Sequence, residues 1–303
     1  MRQSIALRQQ LRDAINSEIA DRTKQHQAKI AAIKATAHTA TMSAAPGGIA
    51  AAGPAPATPL VMLAHGDSWF DYPLDGNGLS LTGDTDIIAQ LQKMGNPNPA
   101  IQNVSHFGDA TSEEMSVPKQ ERMIQSIQDP ANWLNQGPDA ILFSGGGDDI
   151  AGNQFCIFLD YAGGGLDAAR FQGVLDMVEA SYRDLFAFRD SYAPGVPIFG
   201  HCYDFPIPNG SHPVCAGPWL QPSLSFTGNA ANGTALLHQA LIRFHDLLFQ
   251  LAGDPNNNFT LIQTQGILAT ADWANELHPY PSGFQKLANA FFNALQARFP
   301  GRI

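Results

Sequence analysis

Five short apolar runs, each bracketed by turn residues and set apart by helical patterns, constrain this chain more than any other feature. They occupy 61–65, 101–105, 140–144, 196–201 and 259–263. A strand with one wet face alternates apolar and polar residues, whereas a strand covered on both faces reads as an unbroken apolar run. The runs at 61–65 and 140–144 are apolar at every residue but the last, and helical periodicity lies between the five near 86–94, 168–189, 233–252 and 283–298. Strands alternating with helices build a parallel sheet covered on both sides, so an α/β body is predicted for 60–303. The Gly-, Pro- and aromatic-rich stretches 145–167 and 203–232 follow strand ends and are expected to wall a cleft.

Two zones precede that body. Residues 1–35 read as one amphipathic helix, with Leu7, Leu11, Ile15, Ile19, Ile30 and Ile33 on one side. Seven Lys and Arg against three Asp and Glu give it +4, so with −10 overall the remainder carries −14. Packing on its own domain or against another copy of the chain is the favoured use. Contact with an anionic membrane surface is the second, weakened by the lack of aromatic anchors. Residues 36–59 carry no Asp, Glu, Lys or Arg and are rich in Ala, Thr, Gly and Pro, the composition of a linker.

The acidic balance argues against general nucleic-acid binding. Cys156, Cys202 and Cys215 are too few for a disulfide scaffold, although Cys202 and Cys215 could pair in an exported protein. The N-terminus lacks a signal-peptide pattern, and no stretch approaches the ~20 apolar residues of a membrane span. The expectation is a soluble protein, cytoplasmic by default, with export by another route left open.

The first run stops at Gly66-Asp67-Ser68-Trp69-Phe70, which lifts a serine hydroxyl to the carboxyl edge of the sheet. A serine needs an adjacent base to attack at neutral pH. His278, in Asn275-Glu276-Leu277-His278 between the fifth run and the last helix, is the candidate. Asn103 to Asp109 follows the second run, and Ser144-Gly145-Gly146-Gly147-Asp148-Asp149 follows the third. Glycines at strand ends aim backbone N–H groups into a cleft, where donors can stabilise an oxyanion. No lysine follows as a phosphate-binding loop would require, and no histidine pair has zinc spacing, so no metal is expected.

Those four segments, in this order, resemble the blocks of the SGNH hydrolases, the GDSL-type esterases and lipases. Gly66-Asp67-Ser68 matches the nucleophile block, and Gly108 falls at the oxyanion glycine. Gly146-Gly147-Asp148-Asp149 corresponds to a Gly-x-Asn-Asp block, and Asn275-Glu276-Leu277-His278 to an Asp-x-x-His block. The resemblance implies a flavodoxin-like three-layer fold with a five-stranded parallel sheet, no cofactor, and cleavage of a small-molecule ester through an acyl-enzyme. It makes Ser68 and His278 the catalytic pair, and Ser68, Gly108 and position 148 the oxyanion hole. Two positions depart from the pattern. Asp148 stands where the family places Asn, and it could donate only as a neutral acid. Asn275 stands where the family places an acid, leaving Asn275, Asp272 or Glu276 to orient His278. Trp69, Tyr203 and Trp219 are expected to line the cleft. A carbohydrate O-deacetylase, or a catalytically weakened binding or scaffold protein on this fold, are the alternative functions.

Overall fold

A computed structural model of the protein describes residues 2–42, 58–74, 83–212, 215 and 217–303. Five parallel strands form the sheet: β1 (Val61–Gly66), β2 (Ala100–Asn103), β3 (Ala140–Ser144), β4 (Ile198–His201) and β5 (Phe259–Ile262). Their order is β2-β1-β3-β4-β5. Every residue of β1 to β4 is buried, including the polar Gln102 and Asn103 of β2, so both faces of these strands are covered. In register, Leu63 pairs with Gln102 on one side and Ile141 on the other. The winding direction reverses between β1 and β3, so their carboxyl ends flank the crevice where ligands bind in open α/β sheets.

Nine helices accompany the sheet among the described residues: α1 (Arg2–Met42), α2 (Ile87–Leu91), α3 (Thr111–Glu114), α4 (Val117–Gln128), α5 (Gly147–Ile150), α6 (Ala168–Tyr192), α7 (Leu220–Phe226), α8 (Gly233–Gly253) and α9 (Pro281–Arg298). The architecture is the predicted three-layer α/β/α. In α9, Phe284, Leu287, Phe291 and Leu295 fall on one stripe and are all fully buried. Each contributes about 1.5–3 kcal/mol relative to leaving it in water. The helix α4 went unread because its apolar stripe is thin, with Met123 and Ile127 the buried apolar residues.

The first helix departs from its expected bounds. It continues through Met42, past the composition change at 36, because Ala and Thr tolerate a helix and the first proline comes only at Pro46. Residues 43–57, most of the expected linker, lie outside the described residues. Ile19 and Ile30 are buried and Ile15 and Ile33 half-buried, but Leu11 is 59% exposed. The apolar stripe therefore seats only the middle of α1, which packs on the edge strand β2. His26 Nε2 lies 2.8 Å from the Asn132 carbonyl, and Lys29 donates to the Pro99 carbonyl at 2.8 Å.

All three cysteines are free, so the Cys202–Cys215 pairing is not present. The Cys202 sulfur is buried against the Ile262 carbonyl and Thr264, whereas Cys215 faces the cleft around Ser68. Among the described residues no helix is long and apolar enough to cross a membrane.

Candidate active site

The turn after β1 presents Ser68. Gly66 has φ +154°, and a Cβ there would collide with the Ser144 carbonyl, so the backbone that swings the serine out requires glycine. The Asp67 N–H then donates to that carbonyl at 3.0 Å, tying β1 to β3 at its last residue. Ser68 is followed by one tight turn, with Phe70 and Asp71 donating back to the Asp67 carbonyl.

Fold and turn bring Ser68 and His278 together across 210 residues of chain: Oγ lies 2.7 Å from Nε2, and both residues are buried. Burial lowers His278 to about 3, so its imidazole is neutral at ordinary pH. His278 Nδ1 faces Asn275 Oδ1 at 3.3 Å, and the Asn275 amide donates to the Tyr72 hydroxyl at 3.2 Å. That orientation turns the amide oxygen to the ring, puts the proton on Nδ1 and leaves Nε2 as the acceptor for the serine. The Tyr72 ring lies 4.2 Å from the imidazole, and Trp219 meets it edge-on at 5.7 Å.

The other two candidate partners of His278 are engaged elsewhere, so neither orients it. Asp272 is held by Lys286 at 2.6 Å and by the Ala269 N–H at 2.8 Å. Glu276 is fully buried and accepts from four backbone N–H groups: Gly210, Trp219, Leu220 and Gln221, at 2.6–3.0 Å. It caps the start of α7 and fixes the loop that carries Trp219.

Behind the serine lies a polar network that the sequence did not signal. Asp67 accepts from the Tyr203 hydroxyl, from Ser144 Oγ at 2.7 Å and from the Trp69 N–H at 3.0 Å. Ser144 Oγ is also 2.8 Å from His201 Nε2. Burial raises the Asp67 carboxyl above the ordinary range, and its three donors pull it back. Tyr203 sits at φ +56°, a left-handed conformation rare outside glycine, and its hydroxyl reaches Asp67 from there. Trp69 stacks on the His201 ring at 5.3 Å and donates to the Leu277 carbonyl at 3.2 Å, linking the serine loop to the histidine loop.

Asp148 lies beside Ser68 and His278, and its Oδ2 is buried with no hydrogen-bond partner. Burial, then the neighbouring Asp67 charge, drive its carboxyl well above the usual range. Both effects favour the protonated form, which has an O–H to give.

Two spaces open from the pair. A recess of about 30 Å³ is bounded by Trp69, Ala151, Tyr203, Leu241 and Trp273. A cleft of about 390 Å³ is lined by Tyr72, Phe107, Gly108, Cys215, Trp219 and Leu277. Trp69 and Tyr203 thus line the recess and Trp219 the cleft. Among the described residues no cluster of His, Cys, Asp or Glu is arranged to hold a metal.

No family model and no curated protein matches the sequence. Solved structures match the fold. A lipase from a goat rumen metagenome superposes with a TM-score of 0.50 at 16% identity, covering 78% of this chain and 97% of that one. An extracellular lipase from Streptomyces rimosus gives 0.49 at 16% identity over 77% and 98%. A phospholipase A1 from Streptomyces albidoflavus gives 0.45 at 15% identity over 79% and 99%. At such identities the likeness is one of fold alone: this chain shares the α/β fold of the goat-rumen lipase structure.

Proposed function

We propose that the protein hydrolyses carboxylic esters through an acyl-enzyme on Ser68. The observation that carries this reading is the 2.7 Å contact between a hydroxyl at the switch point of the sheet and a neutral imidazole. Ser68 Oγ attacks the ester carbonyl as its proton passes to His278 Nε2. The resulting imidazolium returns that proton to the leaving alkoxide. Water then enters by the same path and bonds to the acyl carbon as its proton passes to His278, which returns that proton to Ser68 Oγ as the acyl–Oγ bond breaks and the acid leaves. The backbone N–H groups of Ser68 and Gly108 and the acid O–H of Asp148 hold the oxyanion. Such preorganised donors supply the largest share of acyl-transfer catalysis.

The unequal spaces support a substrate with a compact acyl group and a larger apolar or aromatic alcohol. The acyl group stays bound to Ser68 while the alcohol leaves and water replaces it, so the larger cleft suits the departing half. About 30 Å³ holds roughly two water-sized groups, which suits a short acyl group such as acetyl. The apolar cleft walls favour an aryl or alkyl alcohol over the sugar of a deacetylase substrate.

Ser68→Ala should abolish p-nitrophenyl acetate hydrolysis with the circular dichroism spectrum intact, and a fluorophosphonate probe should label wild type at Ser68. An unlabelled Ser68 would instead favour a binding protein on this fold. Across p-nitrophenyl esters, kcat/KM should fall about tenfold or more between acetate and octanoate; a rise along that series reverses the assignment of the two spaces.

A further inference from the structure

Oxyanion binding needs two loops in fixed relation: 66–72 after β1, which carries Ser68, and 104–109 after β2, which carries Gly108. One side chain from outside the catalytic body bridges them. Arg22, midway along α1, donates from Nη1 to Asp71 Oδ1 at 2.5 Å and from Nη2 to the Ser105 carbonyl at 2.9 Å. Asp71 adjoins Tyr72, whose ring packs on His278 and whose hydroxyl takes the Asn275 amide. Ser105 lies three residues before Gly108. Asp71 and Ser105 are buried, and the Arg22 side chain is only 23% exposed, so the bridge is shielded from solvent. From the inside, Asn103 links the same loops: its amide donates to the Phe70 carbonyl at 2.7 Å, and its oxygen accepts from the Ser105 N–H at 3.0 Å.

We propose that Arg22 is a positioning residue for the oxyanion donors, and that α1 serves as an intramolecular splint clamping the nucleophile loop to the loop after β2. A guanidinium suits this role because its rigid fork fixes the separation of two acceptors, which a lysine's single flexible ammonium does not. The proposal rests on the reading of Ser68 as nucleophile. Lys29 provides the control, since it anchors the same helix at Pro99, ahead of β2 and away from the site.

In the full chain, Arg22→Met should lower kcat for p-nitrophenyl acetate about tenfold or more with KM little changed, and Arg22→Lys should recover part of the loss. Amide hydrogen exchange should speed up in both 67–72 and 104–109 in Arg22→Met, while Lys29→Met changes neither exchange nor kcat. Equal losses of kcat in the Arg22 and Lys29 variants, or unchanged exchange in the two loops, would overturn the splint. Exchange is read whether or not the chain hydrolyses esters. An inactive wild type with accelerated exchange in Arg22→Met would therefore count against the hydrolase reading and for the splint.

Discussion

Asp67, immediately before Ser68, receives three hydrogen bonds and leads through Ser144 to His201, whereas His278 Nδ1 faces a single neutral oxygen at 3.3 Å. The serine side of the site is over-determined and the histidine side thinly supported. Both arrangements hold the resting pair in contact, because a neutral imidazole needs only an acceptor on Nδ1 to keep the right tautomer. They differ once a proton moves. The imidazolium formed in the proposed reaction is buried and meets a neutral amide rather than a carboxylate at Nδ1, so its charge is poorly offset. Good ground-state geometry can thus coexist with weak transition-state stabilisation.

The largest effect should come from equalising the two sides. Asn275→Asp places a carboxylate on Nδ1–H, and the Tyr72 hydroxyl can rotate to donate to it. We expect kcat to rise at least about tenfold, bounded by the about 10⁴ lost when a triad aspartate is amidated elsewhere. The pH dependence of kcat checks the cause, since the added charge should raise His278 from about 3. An unchanged kcat would break the comparison and make another step limiting.

Next in size is the loss of the oxyanion donor. Asp148→Ala should lower kcat about 10²–10³-fold, the range for removing one such group. Asp148→Asn restores a donor that never ionises. In wild type the acid form is required, so kcat/KM should stay level above about pH 3, where His278 loses its proton, and fall as pH rises through the raised Asp148 value. The Asn variant should lack that alkaline fall. If the fall persists in it, Asp148 is not the group responsible.

The smallest effect probes the well-held side. Tyr203→Phe removes one of the three donors to buried Asp67 and should cost about 1–3 kcal/mol in denaturant unfolding. The two remaining donors should keep kcat within a few-fold. A collapse of kcat with stability preserved would mean that the serine loop is held less firmly than its bonds imply.

The site was legible in part. Ser68 and His278 could be found because each stands next to an element with a strong pattern: a fully buried strand for one, the apolar stripe of α9 for the other. The identity of the residue facing His278 was not legible, because Asn275, Asp272 and Glu276 lie within five positions and sequence distance does not rank them. Asp272 was drawn off by Lys286, fourteen residues away, and Glu276 by α7, more than fifty residues away. The helix α7 escaped notice for the same reason, since the carboxylate that caps its first turn comes from a distant loop.

By itself, the sequence determined the layer order and the strand that ends in the serine, because burial on both faces of a parallel sheet leaves a local, one-dimensional apolar record. Tertiary structure alone decided which oxygen faces the imidazole, that burial pushes the Asp148 carboxyl up, and that Arg22 of α1 spans the two loops at the site. Those outcomes depend on desolvation and on hydrogen-bond partners supplied across tens to hundreds of residues, and such energies leave no periodic trace along the chain.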